Sequence, residues 1–458
     1  MKFLAAASVL LLLTSSALAD RIDDYIRAQM RRNHIPGVSV AVVKDGRVVK
    51  LAGYGVANLE WRRPVTPSTV FQIASATKIF TGLAVMSLVD EGKIALSDSV
   101  RAYLPEAPAS WQAITVRHLA THSSGLSDDI KVPPDASVAN YVEAAYKTAL
   151  VYEPGTRSQY GFTDFVVLQH VLEKVTGQSY EQLLESRIFG PSGMSDSRFD
   201  HAADQGGIRV ADVVAGRAEV YNWENGRHRK FWFLFRERGY SAGGLLTSAA
   251  DLAKLAVALD RGKLVSDRGR EAIWRRDMLG DGSQNSFGVG WVVDEYSGRQ
   301  TVGHSGGPAL ADILRFPRER LTIAVLTNGQ RLFPYLARGI ADVYFPRPAV
   351  KPSRPITDSD ADLTRLVRKF IADGMRDTVD ETLFTTDAQA ELVPAFRRFG
   401  LPLFGQLDPL ASLDLIEEIS KDGEITRKYR AIHGSKAVLW VFVFDKNKKI
   451  KSLDPTIE

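Results

Sequence analysis

Ser75-Ala76-Thr77-Lys78-Ile79-Phe80 opens an apolar run that continues through Leu83, Ala84, Met86, Leu88 and Val89 to Gly92. Its reading decides how the rest of the chain is understood. The apolar positions predict a buried helix that stops at Gly92. Residues three apart share a helix face, so Lys78 aims its amine at the Ser75 oxygen. A serine hydroxyl is a weak nucleophile until a base removes its proton. A lysine held beside a buried helix loses hydration, which favours the neutral amine. A neutral amine near pH 7 is such a base. Ser75 and Lys78 are therefore the candidate nucleophile and base.

Around that stretch, 458 residues with 45% apolar content supply core enough for two or three domains. The net charge of +4 is small and no dense basic stripe occurs, which argues against nucleic acid as a partner. Met1-Lys2-Phe3, an apolar run to Leu13 and Ala17-Leu18-Ala19 have the form of a secretory signal over residues 1–19. The mature chain is then expected to begin near Asp20, in the periplasm or secreted. No later segment is long and apolar enough to predict a stable membrane span. The absence of cysteine excludes disulfides, thiolate metal sites and a cysteine nucleophile.

Strand patterning recurs at both ends of the first 345 residues. Val38 to Val43 and Val48 to Tyr54 flank Asp45-Gly46, a hairpin signal. Gly288–Val293, Gln300–Gly303, Asp312–Phe316 and Leu321–Leu326 carry strand character again. Residues from about 100 to 270 read as mainly helical, including a helix from Thr163 to Gly177 and a capping box at Ser179–Gln182. The expected fold class is α+β: an antiparallel sheet formed from both ends of residues 20–345, flanked by helices, with a helical subdomain inserted. Prolines at 346, 348, 352 and 355 mark a linker over 346–357. Beyond it, residues 358–458 read as a separate small α+β domain. Leu363, Leu366, Val367, Phe370 and Ile371 form one helix face there, and strands are expected at Ile425–His433, Ala437–Phe444 and Ile450–Leu453.

Three segments in order carry a family resemblance: Ser75-x-x-Lys78, Tyr160-Gly161-Phe162 after Pro154-Gly155, and His304-Ser305-Gly306. Supporting them are His118-Leu-Ala-Thr-His122-Ser-Ser-Gly125-Leu126 and Gly243-Gly244-Leu245. With these, residues 22–345 resemble the penicillin-recognising serine hydrolases, namely class C β-lactamases, D-alanyl-D-alanine carboxypeptidases and related esterases and aminopeptidases. The resemblance implies a cofactor-free acyl-enzyme on Ser75, with a small-molecule or peptide substrate. It implies that Tyr160 shuttles the proton to the leaving group and that the backbone N–H groups of Ser75 and Gly307 hold the oxyanion. His304 would line the pocket. Two departures stand out. Phe162 occupies the place of the family's asparagine and offers no amide, and His304 replaces a lysine and its permanent charge. Both point away from an efficient β-lactamase and toward an esterase or peptidase-like hydrolase. Carboxypeptidase or β-lactamase activity is the alternative, and a non-catalytic cell-wall or ligand-binding descendant is the rival from another class.

Other serines and histidines compete with this reading. Gly239-Tyr-Ser241-Ala-Gly243 and Gly303-His-Ser305-Gly-Gly307 both match G-x-S-x-G, but the chain lacks the alternating β-α pattern of that elbow. His118 and His122 have zinc-pair spacing without the glutamate of H-E-x-x-H, so they read as structural and no metal site is expected. In the C-terminal domain, which has a weak likeness to small cone-shaped curved-sheet modules, Tyr429, Trp440, Phe442 and Phe444 read as core.

Overall fold

The computed structural model describes residues 20–457 apart from 206–207, 232–234, 308–309, 330–335, 346–353, 377, 405–406, 422 and 435. The signal segment expected at 1–19 and most of the expected linker lie outside the described residues. The chain divides into two compact units. The larger runs to Gln330 and takes up 336–341, and the smaller extends from Asp342 to the C-terminal end.

In the larger unit a helix over 20–32, α1, leads into β1 (Gly37–Lys44) and β2 (Arg47–Asn58), followed by the short β3 (Arg63–Pro64). Asp45 and Gly46 both take positive φ, 51° and 70°, which joins β1 to β2 by the tight turn their sequence predicts. Next comes α2 (Lys78–Asp90), whose residues Ile79 to Met86 are all buried. A helix apolar all round belongs at the centre of a domain. Thr163–Thr176 forms α3, capped by Gly177 in the left-handed region. Within the stretch expected to be mainly helical, β4 (Val220–Glu224) and β5 (Arg227–Phe231) make a hairpin instead. Asn225 and Gly226, at φ 50° and 76°, supply its turn. The helix Ala249–Asp260, α4, packs on β1.

Four strands return late: β6 (Val292–Tyr296), β7 (Arg299–Gly306), β8 (Ala311–Phe316) and β9 (Leu321–Thr327). The sheet order is β6-β7-β8-β9-β1-β2-β3. The two ends of the unit meet where β1 pairs antiparallel with β9, Val40 opposite Val325. The expected strand at Gly288–Val293 is displaced to Val292–Tyr296. Gly290 takes φ 75° and presses on α2, where a Cβ would stand 2.3 Å from the Lys78 carbonyl oxygen. Close passage over the helix excludes sheet pairing there. A buried ion pair, Arg315 to Asp260 at 2.6 Å, ties β8 to the end of α4.

The smaller unit packs α5 (Ala361–Gly374) on a four-stranded antiparallel sheet of β10 (Leu410–Lys421), β11 (Glu424–His433), β12 (Lys436–Phe444) and β13 (Ile450–Ile457). Tyr429, Trp440, Phe442 and Phe444 are fully buried in its core. β10 escapes the sequence reading because a bulge between Leu415 and Glu417 breaks its alternation. Among the described residues no helix is long and apolar enough to cross a membrane.

Candidate active site

Ser75 lies in a single 3-10 turn, Ala74–Thr77, that feeds directly into α2. Ala74 has φ 44°, an uncommon conformation for a residue with a Cβ. Such strain costs roughly 1–3 kcal/mol and persists only where the surroundings impose it. Here Thr77 Oγ1 donates to the Ala74 carbonyl (2.7 Å) and accepts from Leu245 N–H (3.2 Å), and Ile73 N–H donates to the Leu245 carbonyl (3.1 Å). From the other side β7 closes on the turn. A Cβ on Gly306 would stand 1.8 Å from the Ile73 carbonyl oxygen, so only glycine permits the strand to come this near. Side chains alternate along a strand, which puts His304 on the same face as Gly306 and Ser305 on the other.

Lys78 is 2% exposed, and its ammonium nitrogen donates to the Ala242 carbonyl at 2.8 Å. No carboxylate lies within ion-pair distance of it among the described residues. Its nitrogen sits 4.8 Å from the centre of the Tyr160 ring and 5.0 Å from that of Phe165. Tyr160 itself is 46% exposed, so the site opens to solvent on this side. No hydrogen bond joins Ser75, Lys78 and Tyr160 directly in the free protein. Catalytic contacts of this kind often tighten only when substrate arrives.

His304 is buried 6.0 Å from Tyr160, ring to ring, and its Nδ1–H donates to the Ser305 carbonyl at 2.7 Å. That bond leaves Nε2 as an acceptor, buried and without a partner among the described residues. Burial and the nearby Lys78 push the imidazole pKa down to about 3, so His304 is neutral at ordinary pH. Gly307 follows in the turn after β7. Phe162 does not join this group. Its backbone opens α3, with N–H donating to the Asp128 carboxylate at 2.8 Å, and its ring packs edge-on against Tyr141.

Sequence reasoning missed two residues, His122 and Asp164. The helix carrying His118 ends at Ala120, and His122 turns out of it at φ 56°. Its ring lies 4.6 Å from Tyr160 and 4.9 Å from Phe287, while His118 stays in its own capping box. The two histidines therefore face different surroundings, and no acidic, histidine or cysteine cluster able to hold a metal occurs among the described residues. Asp164, in the first turn of α3, is buried and meets His122 Nδ1 at 3.1 Å while accepting from the Ser124 hydroxyl. Burial raises its pKa to about 8 and drives that of His122 far below the usual range. The consistent state is a protonated Asp164 donating to His122 Nδ1, which also accepts from Gly161 N–H at 3.3 Å. His122 Nε2 then carries a hydrogen. Its Thr-His-Ser-Ser-Gly setting was the available signal, but nothing in it points to Asp164.

The competing serines are accounted for. Ser241 is fully buried and donates to the Phe165 carbonyl at 2.8 Å. Ser305, on the far face of β7, donates to Asp312 at 3.2 Å.

Comparison with known proteins identifies the family. The Beta-lactamase family model matches residues 22–344. The chain is 25% identical over 343 residues to penicillin-binding protein 4* of Bacillus subtilis, covering 69% of this chain and 74% of that one. It is likewise 25% identical to protein flp of Staphylococcus aureus, covering 67% of this chain and 62% of that one. Among solved structures it is similar to the octameric penicillin-binding protein homologue from Pyrococcus abyssi, with TM-score 0.61 and 23% identity over 96% of this chain and 98% of that one. EstCE1, a hydrolase with promiscuous acyltransferase activity, gives TM-score 0.60 and 19% identity over 72% of this chain and all of its own. Since the family model spans most of the chain, this protein belongs to the Beta-lactamase family.

Proposed function

We propose that the protein is an exported serine hydrolase that cleaves an ester or amide through an acyl-enzyme on Ser75. Family membership supports serine hydrolysis in general, and the finer reading rests on one observation. Lys78 is buried without a carboxylate between the Ser75 turn and Tyr160. In this mechanism the Lys78 amine takes the Ser75 proton as Oγ attacks the carbonyl carbon. The oxyanion is held by the N–H groups of Ser75 and Gly307, each worth about 3–4 kcal/mol. The intermediate collapses to the Ser75 ester as the leaving alcohol or amine receives a proton through Tyr160. Water then attacks the ester, and the acid product leaves with Ser75 restored. The neutral His304 gives β7 no cation for a substrate carboxylate, which supports esterase or peptidase-like activity over β-lactamase activity.

Intact-mass measurement after treatment with a fluorophosphonate tests the assignment. One adduct is expected, on Ser75, and none in Ser75→Ala. Hydrolysis of p-nitrophenyl butyrate should vanish in the same variant. Wild-type protein that takes no adduct and turns over no ester would instead be a binding descendant.

A further inference from the structure

His122 meets the segment carrying Tyr160 twice. Its carbonyl accepts from Gln159 N–H at 2.9 Å and from the Ser158 hydroxyl at 3.0 Å, and its Nδ1 accepts from Gly161 N–H at 3.3 Å. Backbone groups on both sides of Tyr160 are therefore tied to one residue. The His122 ring touches three others, with Tyr160 at 4.6 Å, Phe287 at 4.9 Å and Phe165 at 5.0 Å between centres. The Lys78 nitrogen lies over two of the same rings, those of Tyr160 and Phe165. Tyr160 is half-exposed, so its placement comes from these inner neighbours.

An apolar ring would fill the pocket at less cost. His122 is buried, and its Nε2 has no hydrogen-bond partner among the described residues. Taking a polar group out of water is unfavourable unless something compensates for it. What the histidine adds is direction. Asp164, itself buried, meets Nδ1 at 3.1 Å and accepts from Ser124, whose hydroxyl oxygen accepts from Leu126 N–H at 3.0 Å. This chain of bonds turns the Nδ1 edge toward Gly161 and fixes the plane of the ring that Tyr160 meets. A group that transfers a proton depends on such support, since a misplacement of about 1 Å can cost about a hundredfold in rate.

We infer that His122, oriented by Asp164, is a positioning residue for Tyr160, and that it sets the phenol where a proton passes to the leaving oxygen. The inference rests on the proposed acylation of Ser75, in which the proton lost from Oγ reaches the leaving group through Tyr160. His122 acts only through Tyr160.

The experiment compares phenyl butyrate with p-nitrophenyl butyrate. The two esters share an acyl group, so kcat/KM for each reports the same acylation of Ser75, but phenolate needs a proton on leaving far more than p-nitrophenolate does. The quantity read is kcat/KM for the phenyl ester divided by that for the nitrophenyl ester. Tyr160→Phe should lower this ratio by at least about tenfold, as loss of a proton transfer requires. His122→Phe, which keeps a ring but not Nδ1, and Asp164→Ala should each lower it by at least about threefold. Asp164→Asn keeps a donor for His122 and should recover most of that loss. Partial unfolding reduces both rates together, so a mere packing defect leaves the ratio alone. A wild-type ratio in both His122→Phe and Asp164→Ala, beside a lowered one in Tyr160→Phe, would overturn the positioning role and keep the proton shuttle. An unchanged ratio in Tyr160→Phe would overturn the shuttle, and the inference with it.

Discussion

Asp164 shows how one buried residue ties stability to the site. Its carboxyl group has a pKa of about 8 in the folded protein because burial opposes the charge, against an ordinary value near 3.9 when unfolded. Between those values the folded state holds a proton that the unfolded state releases. Stability from this group is therefore greatest below about pH 4 and declines as pH rises toward 8. Asp164→Asn keeps a donor for His122 and removes the titration. Its melting temperature relative to wild type should rise between pH 5 and pH 8. A difference that stays flat across that range would mean Asp164 is ionised in the fold. Burial of His304 works in the opposite sense, since its folded pKa of about 3 lies below the unfolded value. Its contribution is lost as pH falls from about 6.5, and taking the difference between the two proteins cancels that effect.

At the scale of elements, the site is a junction of the Ser75 turn with β7 and the turn Tyr240–Gly243. Lys78, Thr81 and Thr77 each bond to the 241–245 segment, which fixes α2 beneath the Ser75 turn. On the other side the contact depends on Gly306. Gly306→Ala must move β7 or the Ile73 backbone, since the new Cβ would stand 1.8 Å from the Ile73 oxygen. Overpacking of this kind costs typically 1–3 kcal/mol. Thermal melts should show a loss of that order, and p-nitrophenyl butyrate turnover should fall further, at least about tenfold, because Gly307 moves with the strand. Retention of full turnover would mean that β7 does not contribute to the oxyanion site. Elements were legible where a turn signal and a clean period coincide, as in β1 and β2 around Asp45-Gly46. The β4-β5 hairpin carried the same kind of signal in Asn225-Gly226 but lies among helices, and its alternation is weak, with charged residues on both faces of β5.

At the scale of the molecule, each unit has its own core, the larger built around α2 and the smaller around Phe370 and Trp440. A chain ending at residue 345 should therefore melt cooperatively and keep fluorophosphonate labelling at Ser75. Loss of labelling in that shortened chain would show that the active unit needs the C-terminal one. The sequence by itself determined the family and the α+β class, and it put forward Ser75, Lys78, Tyr160 and His304 as candidates. Each of these lies in a short motif, and the order of the motifs survives any loop between them. It also located the core aromatics of the smaller unit, because period-2 burial is a local property. Only the tertiary structure decided which histidine faces the site and that Asp164 lies beneath it. Those facts depend on contacts across tens of residues, such as the bond from Asp164 to His122 over 42 positions. They also depend on burial, which shifts a carboxyl group's proton affinity without changing any letter of the sequence.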